Sequence, residues 1–360
     1  MLIELRAKNC FSFSDEIRFS TKADMRNKKF SSNVHTENNF NILKTVGIYG
    51  PNNAGKTCLV KCIRSAKNIL LNQKPRIMPN IFQESTICQL GITFLEEGRE
   101  FSYDFWYDDK KEEYPYEKFA EITKDQYGNE KETVWLLKDI INGNCQYGDE
   151  DLLKMMPLIS QSNLLFYLVD SSKFQQLAEM KRIVTKFASR IDIVNMNNIP
   201  LKRTINLMKN QNDLQRKVVE FIKNSDLYMD DFEYVDMENI RVKMDSDEEK
   251  PEEKALDIPE QIMDQIRLVS VYRGVAVPSV LFDSTGTKKI AALASYIIEG
   301  IEQGRILVVD ELDSSIHFKL TRAIVAMFNN ELNTNAQMIF TVHDINLMDC
   351  KKMFRKEQIW

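Results

Sequence analysis

Gly50-Pro-Asn-Asn-Ala-Gly-Lys-Thr57 fits the pattern G-x-x-x-x-G-K-[ST]. Ahead of it, Ile42-Leu-Lys-Thr-Val-Gly-Ile-Tyr49 is a mostly apolar run of the kind a buried strand needs. Behind it, Leu59, Ile63, Ala66 and Leu70 recur at helical spacing until Pro75 and Pro79 end the pattern. Strand, glycine loop and helix in that order are the context that turns a short match into a phosphate-binding P-loop. Its glycines let backbone N–H groups curl around phosphate oxygens, and the helix turns its positive end toward the same anion. The cradle is expected to comprise Gly50, Pro51, Asn52, Asn53, Ala54, Gly55, Lys56, Thr57 and Cys58. Lys56 is expected to reach the β- and γ-phosphates, and the Thr57 hydroxyl to ligate Mg²⁺.

A P-loop needs a carboxylate from the end of a second buried strand. Arg305-Ile-Leu-Val-Val-Asp-Glu311 supplies one: four apolar residues, then Asp310 for Mg²⁺ and Glu311 placed to polarise an attacking water. Thr57 and Asp310 lie 253 residues apart, so a long insertion separates two halves of one nucleotide-binding domain. Just upstream of the acidic strand is Asp283-Ser-Thr-Gly-Thr287, followed by an apolar, helix-like stretch from Ile290 to Ile298. Downstream, Met338-Ile-Phe-Thr-Val-His343 reads as another buried strand, this one ending in a histidine.

This order of motifs resembles the ABC ATPase superfamily: P-loop, long insertion, signature, acidic strand, D-loop and switch histidine. Ser284 and Gly286 fall on the serine and second glycine of the family's L-S-G-G-Q signature, where Asp283 and Thr285 replace the leucine and the first glycine. Asp313 falls on the D-loop and His343 on the switch histidine; Gln161, in Ile159-Ser-Gln-Ser162, is the candidate for the Q-loop glutamine. Within the superfamily the likeness is to the SMC, RecF and OLD-like branch, most closely to the prokaryotic AAA-type ATPases of abortive-infection and other antiphage systems. It rests on Ala23-Asp-Met-Arg26, on residues 49 to 57 and 284 to 287, on Val309-Asp-Glu-Leu-Asp-Ser-Ser-Ile-His317, and on Thr341-Val-His-Asp344.

The resemblance implies an α/β ABC-type P-loop domain with a mixed central sheet, an antiparallel β-lobe and an inserted helical arm. It implies an ATPase using ATP and Mg²⁺, with Lys56, Glu311 and His343 as catalytic groups. In ABC-type dimers the signature of one subunit caps the nucleotide held by the P-loop of the other, so a homodimer closed by ATP, or a higher oligomer, is the expected assembly. The antiphage likeness implies a separate effector partner, a nuclease or toxin. The competing reading is a RecF-like or SMC-like clamp on DNA in repair or recombination. A self-contained nuclease of the OLD type is not expected, because those enzymes carry their nuclease domain after the switch histidine.

The rest of the chain is consistent with such a domain. Period-two alternation marks two strands in the first twenty residues (Ile3, Leu5, Ala7; Ile17, Phe19) and an antiparallel lobe from Gln89 to about Lys138. Residues 151 to about 230 read as helical, with a basic bias at Lys202, Arg203, Lys209, Arg216 and Lys217. Met244-Asp-Ser-Asp-Glu-Glu-Lys-Pro-Glu-Glu-Lys254 is an acidic low-complexity run. The expected division is 1–105 and 259–360 for the two halves of the ATPase domain, 106–150 for a β-rich insertion and 151–258 for the helical arm. Met353 to Trp360 resembles a family segment that enters a further strand, as if the chain stopped short of its last elements.

Composition agrees. The chain of 360 residues is 43% hydrophobic and 28% charged, which excludes disordered and collagen-like classes. A net charge of −5 means that any nucleic-acid contact must come from a local patch. The longest apolar stretches fall well below the ~20 residues that cross a bilayer, and no secretory leader opens the chain, so a cytoplasmic location without membrane contact is expected. Six scattered cysteines with no C-x-x-C pair read as reduced thiols. Only three histidines occur, two of them at motif positions, and His35 is expected in a surface loop.

Overall fold

Alternation along the first twenty residues produces β1 (Leu2–Lys8) and β2 (Ile17–Ser20), paired antiparallel. A hairpin of β3 (Val34–Glu37) and β4 (Phe40–Leu43) leads into β5 (Thr45–Tyr49), the P-loop and α1 (Lys56–Leu70). The computed structural model describes residues 1–38, 40–124, 130–210, 212–225, 228–235, 259–347 and 352–360. After α1 come the long strands β6 (Ile87–Glu96), β7 (Arg99–Asp108), β8 (Glu113–Lys124) and β9 (Glu130–Asp139), and the short β10 (Asn144–Tyr147). Helices α2 (Glu150–Met155), α3 (Leu165–Leu168) and α4 (Gln175–Ser189) then lead to β11 (Ile191–Asn195). Next are α5 (Lys202–Met208), α6 (Asp213–Ser225), β12 (Asp231–Tyr234), α7 (Glu260–Ile266), β13 (Leu268–Tyr272) and β14 (Val275–Pro278). The chain returns through α8 (Ser279–Phe282), α9 (Thr285–Glu302), β15 (Ile306–Asp310), α10 (Phe318–Asn329) and β16 (Gln337–Val342).

The strands sort into two principal sheets. One is antiparallel, in the order β10-β9-β8-β7-β6-β1-β2; the other is parallel, in the order β11-β15-β16-β5. A parallel sheet is covered on both faces, which is why its strands read as unbroken apolar runs. In β15, Ile306 and Val308 face the core shared with the antiparallel sheet, α1 and α4, while Leu307 and Val309 face a second core with α5, α6, α9 and α10. Helix α1 feeds the first core with Leu59, Val60, Ile63, Ala66, Ile69 and Leu70, all on one stripe. Truncating a side chain such as Ile63 to alanine there costs about 2–4 kcal/mol. This sandwich holds the C-terminal ends of β5, β11, β15 and β16 together, and the P-loop springs from the same edge.

Four sequence expectations change. Ile42–Tyr49 is two strands, because Lys44 turns out of line: its N–H donates to the Asn33 carbonyl at 2.8 Å and its Nζ to the Asn330 carbonyl at 2.9 Å. The boundary at 105/106 falls inside β7, and β8 to β10 continue the sheet that β1 opens, so 106–150 is no separate insertion. The segment 151–258 is not purely a helical arm, since β11 enters the parallel sheet beside β15. His35 lies in strand β3, its ring 3.3 Å from the Glu37 carboxylate, and not in a loop. The acidic run Met244–Lys254 lies outside the described residues. Near the C-terminal end, Ile359 bridges Gly47 in parallel, and Trp360 exchanges hydrogen bonds with Gly47 and Tyr49 at 3.0 Å. Among the described residues no helix is long and apolar enough to cross a membrane.

Candidate nucleotide site

The P-loop follows directly from its residue types. Asn53 (φ 65°) and Gly55 (φ 91°) adopt left-handed backbone, which bends the loop back over the start of α1. The positive φ of Gly55 favours glycine, and a Cβ there would sit tight against the Phe13 ring at 3.1 Å. The first bond into α1 runs from the Leu59 N–H to the Gly55 carbonyl at 3.0 Å. Among the described residues the N–H groups of Gly55, Lys56, Thr57 and Cys58 have no acceptor within the protein. Four converging donors at the positive end of a long helix fit an anion the size of a phosphate. Lys56, largely buried, lays its ammonium across the loop mouth, donating to the carbonyls of Gly50 (2.5 Å) and Pro51 (3.0 Å).

Across the sheet edge, the carboxylates are fixed by a polar network. Asp310 accepts from the Thr341 hydroxyl at 2.7 Å and from the Asn195 amide at 3.0 Å, and its Oδ1 is 3.5 Å from the Thr57 hydroxyl. Thr57 and Asp310, distant in sequence, therefore share one corner. A hydroxyl and a carboxylate are the sparse donor set that suits Mg²⁺, which takes its remaining oxygens from water and a bound phosphate chain. Among the described residues no group of three or more His, Cys, Asp or Glu side chains could hold a metal alone.

Glu311 leaves β15 with φ 59°, a conformation a non-glycine residue holds only when its surroundings impose it. Here they do: its N–H donates to the Thr341 hydroxyl at 2.8 Å, and the Asn197 amide donates to its carboxylate. Asp313 accepts from the backbone N–H groups of His343 and Asp344, both at 2.8 Å, tying the residues after β15 to the end of β16. His343 is exposed at that end.

Ser284 is the N-cap of α9, accepting from the Thr287 N–H at 3.1 Å. Asp283 beside it is buried and accepts from the hydroxyls of Ser270 (2.6 Å), Ser279 (2.5 Å) and Tyr272 (2.9 Å), which fixes where α9 starts. The aspartate that departs from the signature pattern thus anchors it. A Cβ on Gly286 would come 2.8 Å from the Ser315 carbonyl, so glycine lets α9 approach the turn after Glu311. Among the described residues neither Ser284 nor Gly286 makes a hydrogen bond to the P-loop of its own chain.

Gln161 does not join this cluster. Its carbonyl accepts from the Tyr114 N–H at 2.6 Å, and Asn163 two residues on bonds Asn72, just past the C-terminal end of α1. The P-loop is at the other end of that helix, about 20 Å away at 1.5 Å per residue. Asn195 and Asn197, at the tip of β11, present their amides where Gln161 was expected. They were missed because 151–230 reads as helical overall, and because Asp192 interrupts Ile191-Asp-Ile-Val-Asn195, which therefore lacks the unbroken apolar run that marks Ile306 to Asp310.

Three of the five basic residues of the 202–217 segment are ion-paired within the chain. Arg203 pairs with Asp192 and Glu299, Lys209 with Asp264, and Lys217 with Glu302 and Asp213. Burial pushes the Asp192 carboxyl up, but hydrogen bonds from Arg305 and Arg203 outweigh it and hold the group below the usual aspartate range.

A glycine loop of unpaired N–H donors, a lysine and hydroxyl at the head of the helix, and a carboxylate pair at the end of a parallel strand one strand removed from the P-loop strand define a P-loop ATPase domain. Residues 46–349 match the family described as "AAA domain, putative AbiEii toxin, Type IV TA system", and the chain belongs to that family. It is also similar in structure to the SMC head domain from Thermotoga maritima (13% identity, TM-score 0.43, covering 96% of this chain and 90% of that one). A second similar structure is an SMC head bound to the C-terminal winged-helix domain of ScpA (14% identity, TM-score 0.49, 96% and 91% covered). Among curated protein sequences, none matches the chain.

Proposed function

We propose that this protein binds ATP with Mg²⁺ at the P-loop and hydrolyses it as a dimer, serving as the ATP-driven regulatory subunit of an antiphage, abortive-infection system with a separate effector. The observation that carries the reading is Asp310 lying between Thr57, Thr341 and Asn195, with Glu311 turned out beside it under imposed backbone strain. Thr57 and Asp310 would hold Mg²⁺, which when bound neutralises charge on the phosphate oxygens. The unpaired N–H groups of residues 55–58 and the Lys56 ammonium bind and orient the phosphate chain. Glu311 orients the attacking water and accepts its proton. Asp313 holds the backbone at His343 at the end of β16, and His343 would contact the γ-phosphate.

Ser284 and Gly286, unbonded to their own P-loop, are available to close a second subunit's site, and release of that closure on hydrolysis would signal to the effector. Arg203, Lys209 and Lys217 are ion-paired within the chain while Lys202 and Arg216 have no ion pair among the described residues, so an SMC-like clamp on DNA is the second reading, tested by salt-dependent duplex binding. The test is steady-state ATP hydrolysis together with size-exclusion chromatography of Glu311→Gln. Hydrolysis by the wild type, and an ATP-dependent dimer that persists in the variant, are expected. A variant that stays monomeric with ATP, or hydrolyses at the wild-type rate, removes the reading.

A further inference from the structure

The signature helix is wired to Glu311 inside the same subunit. Lys289, one turn into α9, donates from Nζ to the Ser314 hydroxyl (3.2 Å) and the Ser315 hydroxyl (3.1 Å). The Ser314 hydroxyl donates onward to the Asn197 side-chain carbonyl at 2.8 Å, and the Asn197 amide donates to the Glu311 carboxylate. The direction is fixed by chemistry. Lysine can only donate and an ionised carboxylate can only accept, so every intermediate hydrogen points toward Glu311. Three elements contribute one member each: α9, the turn after β15, and the tip of β11.

That tip is itself held in place. The Asn195 side chain accepts from the Asn197 N–H at 2.8 Å, and the buried Met196 donates its N–H to the Asp310 carbonyl at 3.0 Å. Asn195 and Asn197 therefore address the two adjacent carboxylates, Asp310 and Glu311, from one short segment. On the α9 side, Gly286 brings the helix against the Ser315 carbonyl, so a shift of α9 moves the cationic end of the chain.

We infer that Lys289, Ser314 and Asn197 are positioning residues that transmit the seating of the signature helix to Glu311 of the same subunit. One carboxylate is then set in its working rotamer only when its own α9 is docked, which synchronises the two sites of a dimer without either nucleotide contacting the relay. This rests on the hydrolytic role proposed above for Glu311.

The experiment is steady-state ATP hydrolysis, MANT-ATP binding and thermal unfolding on the full chain for Lys289→Ala, Ser314→Ala, Asn197→Ala, the pair Ser314→Ala with Asn197→Ala, and the conservative Lys289→Arg and Ser314→Thr. Each single truncation is expected to lower kcat roughly ten-fold, with KM, MANT-ATP affinity and unfolding midpoint unmoved. The paired variant should be no worse than Asn197→Ala alone, and Lys289→Arg and Ser314→Thr should recover most of the rate. Multiplying losses in the pair, a fall in MANT-ATP affinity that accounts for the rate, or undiminished kcat in all three singles would overturn the relay. Glu311→Gln separates the two proposals. If it abolishes hydrolysis while the relay variants do not slow it, only the relay fails; if it hydrolyses normally, the role of Glu311 fails and the relay with it.

Discussion

Two carboxylate clusters in this molecule are built from similar groups and reach opposite ends. Glu117, in the antiparallel sheet, is fully buried with Lys138 at 3.4 Å, and it accepts from the Tyr103 hydroxyl at 2.9 Å and from the Leu165 N–H at 3.0 Å. Burial pushes its carboxyl above the ordinary range, against the pull of the Lys138 ammonium. Asp310 and Glu311, at the edge of the parallel sheet, are held by threonine and asparagine, and they face an open loop of unpaired donors. In the sealed cluster every partner is inside, so its polarity ties α3 to the lobe. In the open one a donor set is left incomplete on one side, and that is where a ligand can bind.

The comparison is broken most severely by exchanging the effects. Lys56→Ala or Asp310→Asn is expected to reduce ATP hydrolysis by roughly a thousand-fold, with the unfolding midpoint nearly unchanged; a midpoint that collapses would make the open cluster structural too. Lys138→Met should act the other way, costing about 3 kcal/mol of stability by stranding Glu117 while MANT-ATP affinity stays at the wild-type value. Chemical denaturation of that variant beside Glu117→Gln with Lys138→Met checks it, since the double change should recover part of the loss. Gly286→Ala sharpens the comparison where the signature meets the turn. Its Cβ meets a backbone carbonyl that cannot swing aside, so about 1–2 kcal/mol of stability and the ATP-dependent dimer should be lost together.

The smallest effect concerns pH. Asp192 ties β11 to Arg203 and Arg305, and its carboxyl is held below the aspartate range. A depressed carboxyl gives its stabilisation above its ordinary value and loses it as pH falls through the folded value. The wild-type unfolding midpoint should therefore drop more steeply as pH falls below about 4 than that of Asp192→Asn; parallel acid limbs would remove Asp192 as a contributor.

Much of this was legible in the residues. The P-loop, the acidic strand and the histidine-ended strand are short, local patterns whose chemistry fixes both residue type and order. The alternation of β1, β2 and β6 to β9 follows from the face of each strand that packs its large apolar side chains into the core. Gln161 was placed wrongly because a polar residue in a loop carries no local sign of what it faces. Asn195 and Asn197 escaped for the same reason, and because a five-residue strand between helices has little periodicity to show.

The sequence by itself determined that a P-loop and an apolar strand ending in a carboxylate pair occur in one chain, since backbone geometry at glycine and the donor set of lysine, threonine and aspartate are properties of the residues. Only the tertiary structure decided which groups complete them. Parallel pairing of β11, β15, β16 and β5 brings Asn195, Asn197 and Thr341 to the two carboxylates, and packing of α9 on the turn after β15 adds Lys289 and Ser314. Those contacts depend on register between distant strands, which is set by burial on both faces of the sheet and leaves no trace in the spacing of any one segment.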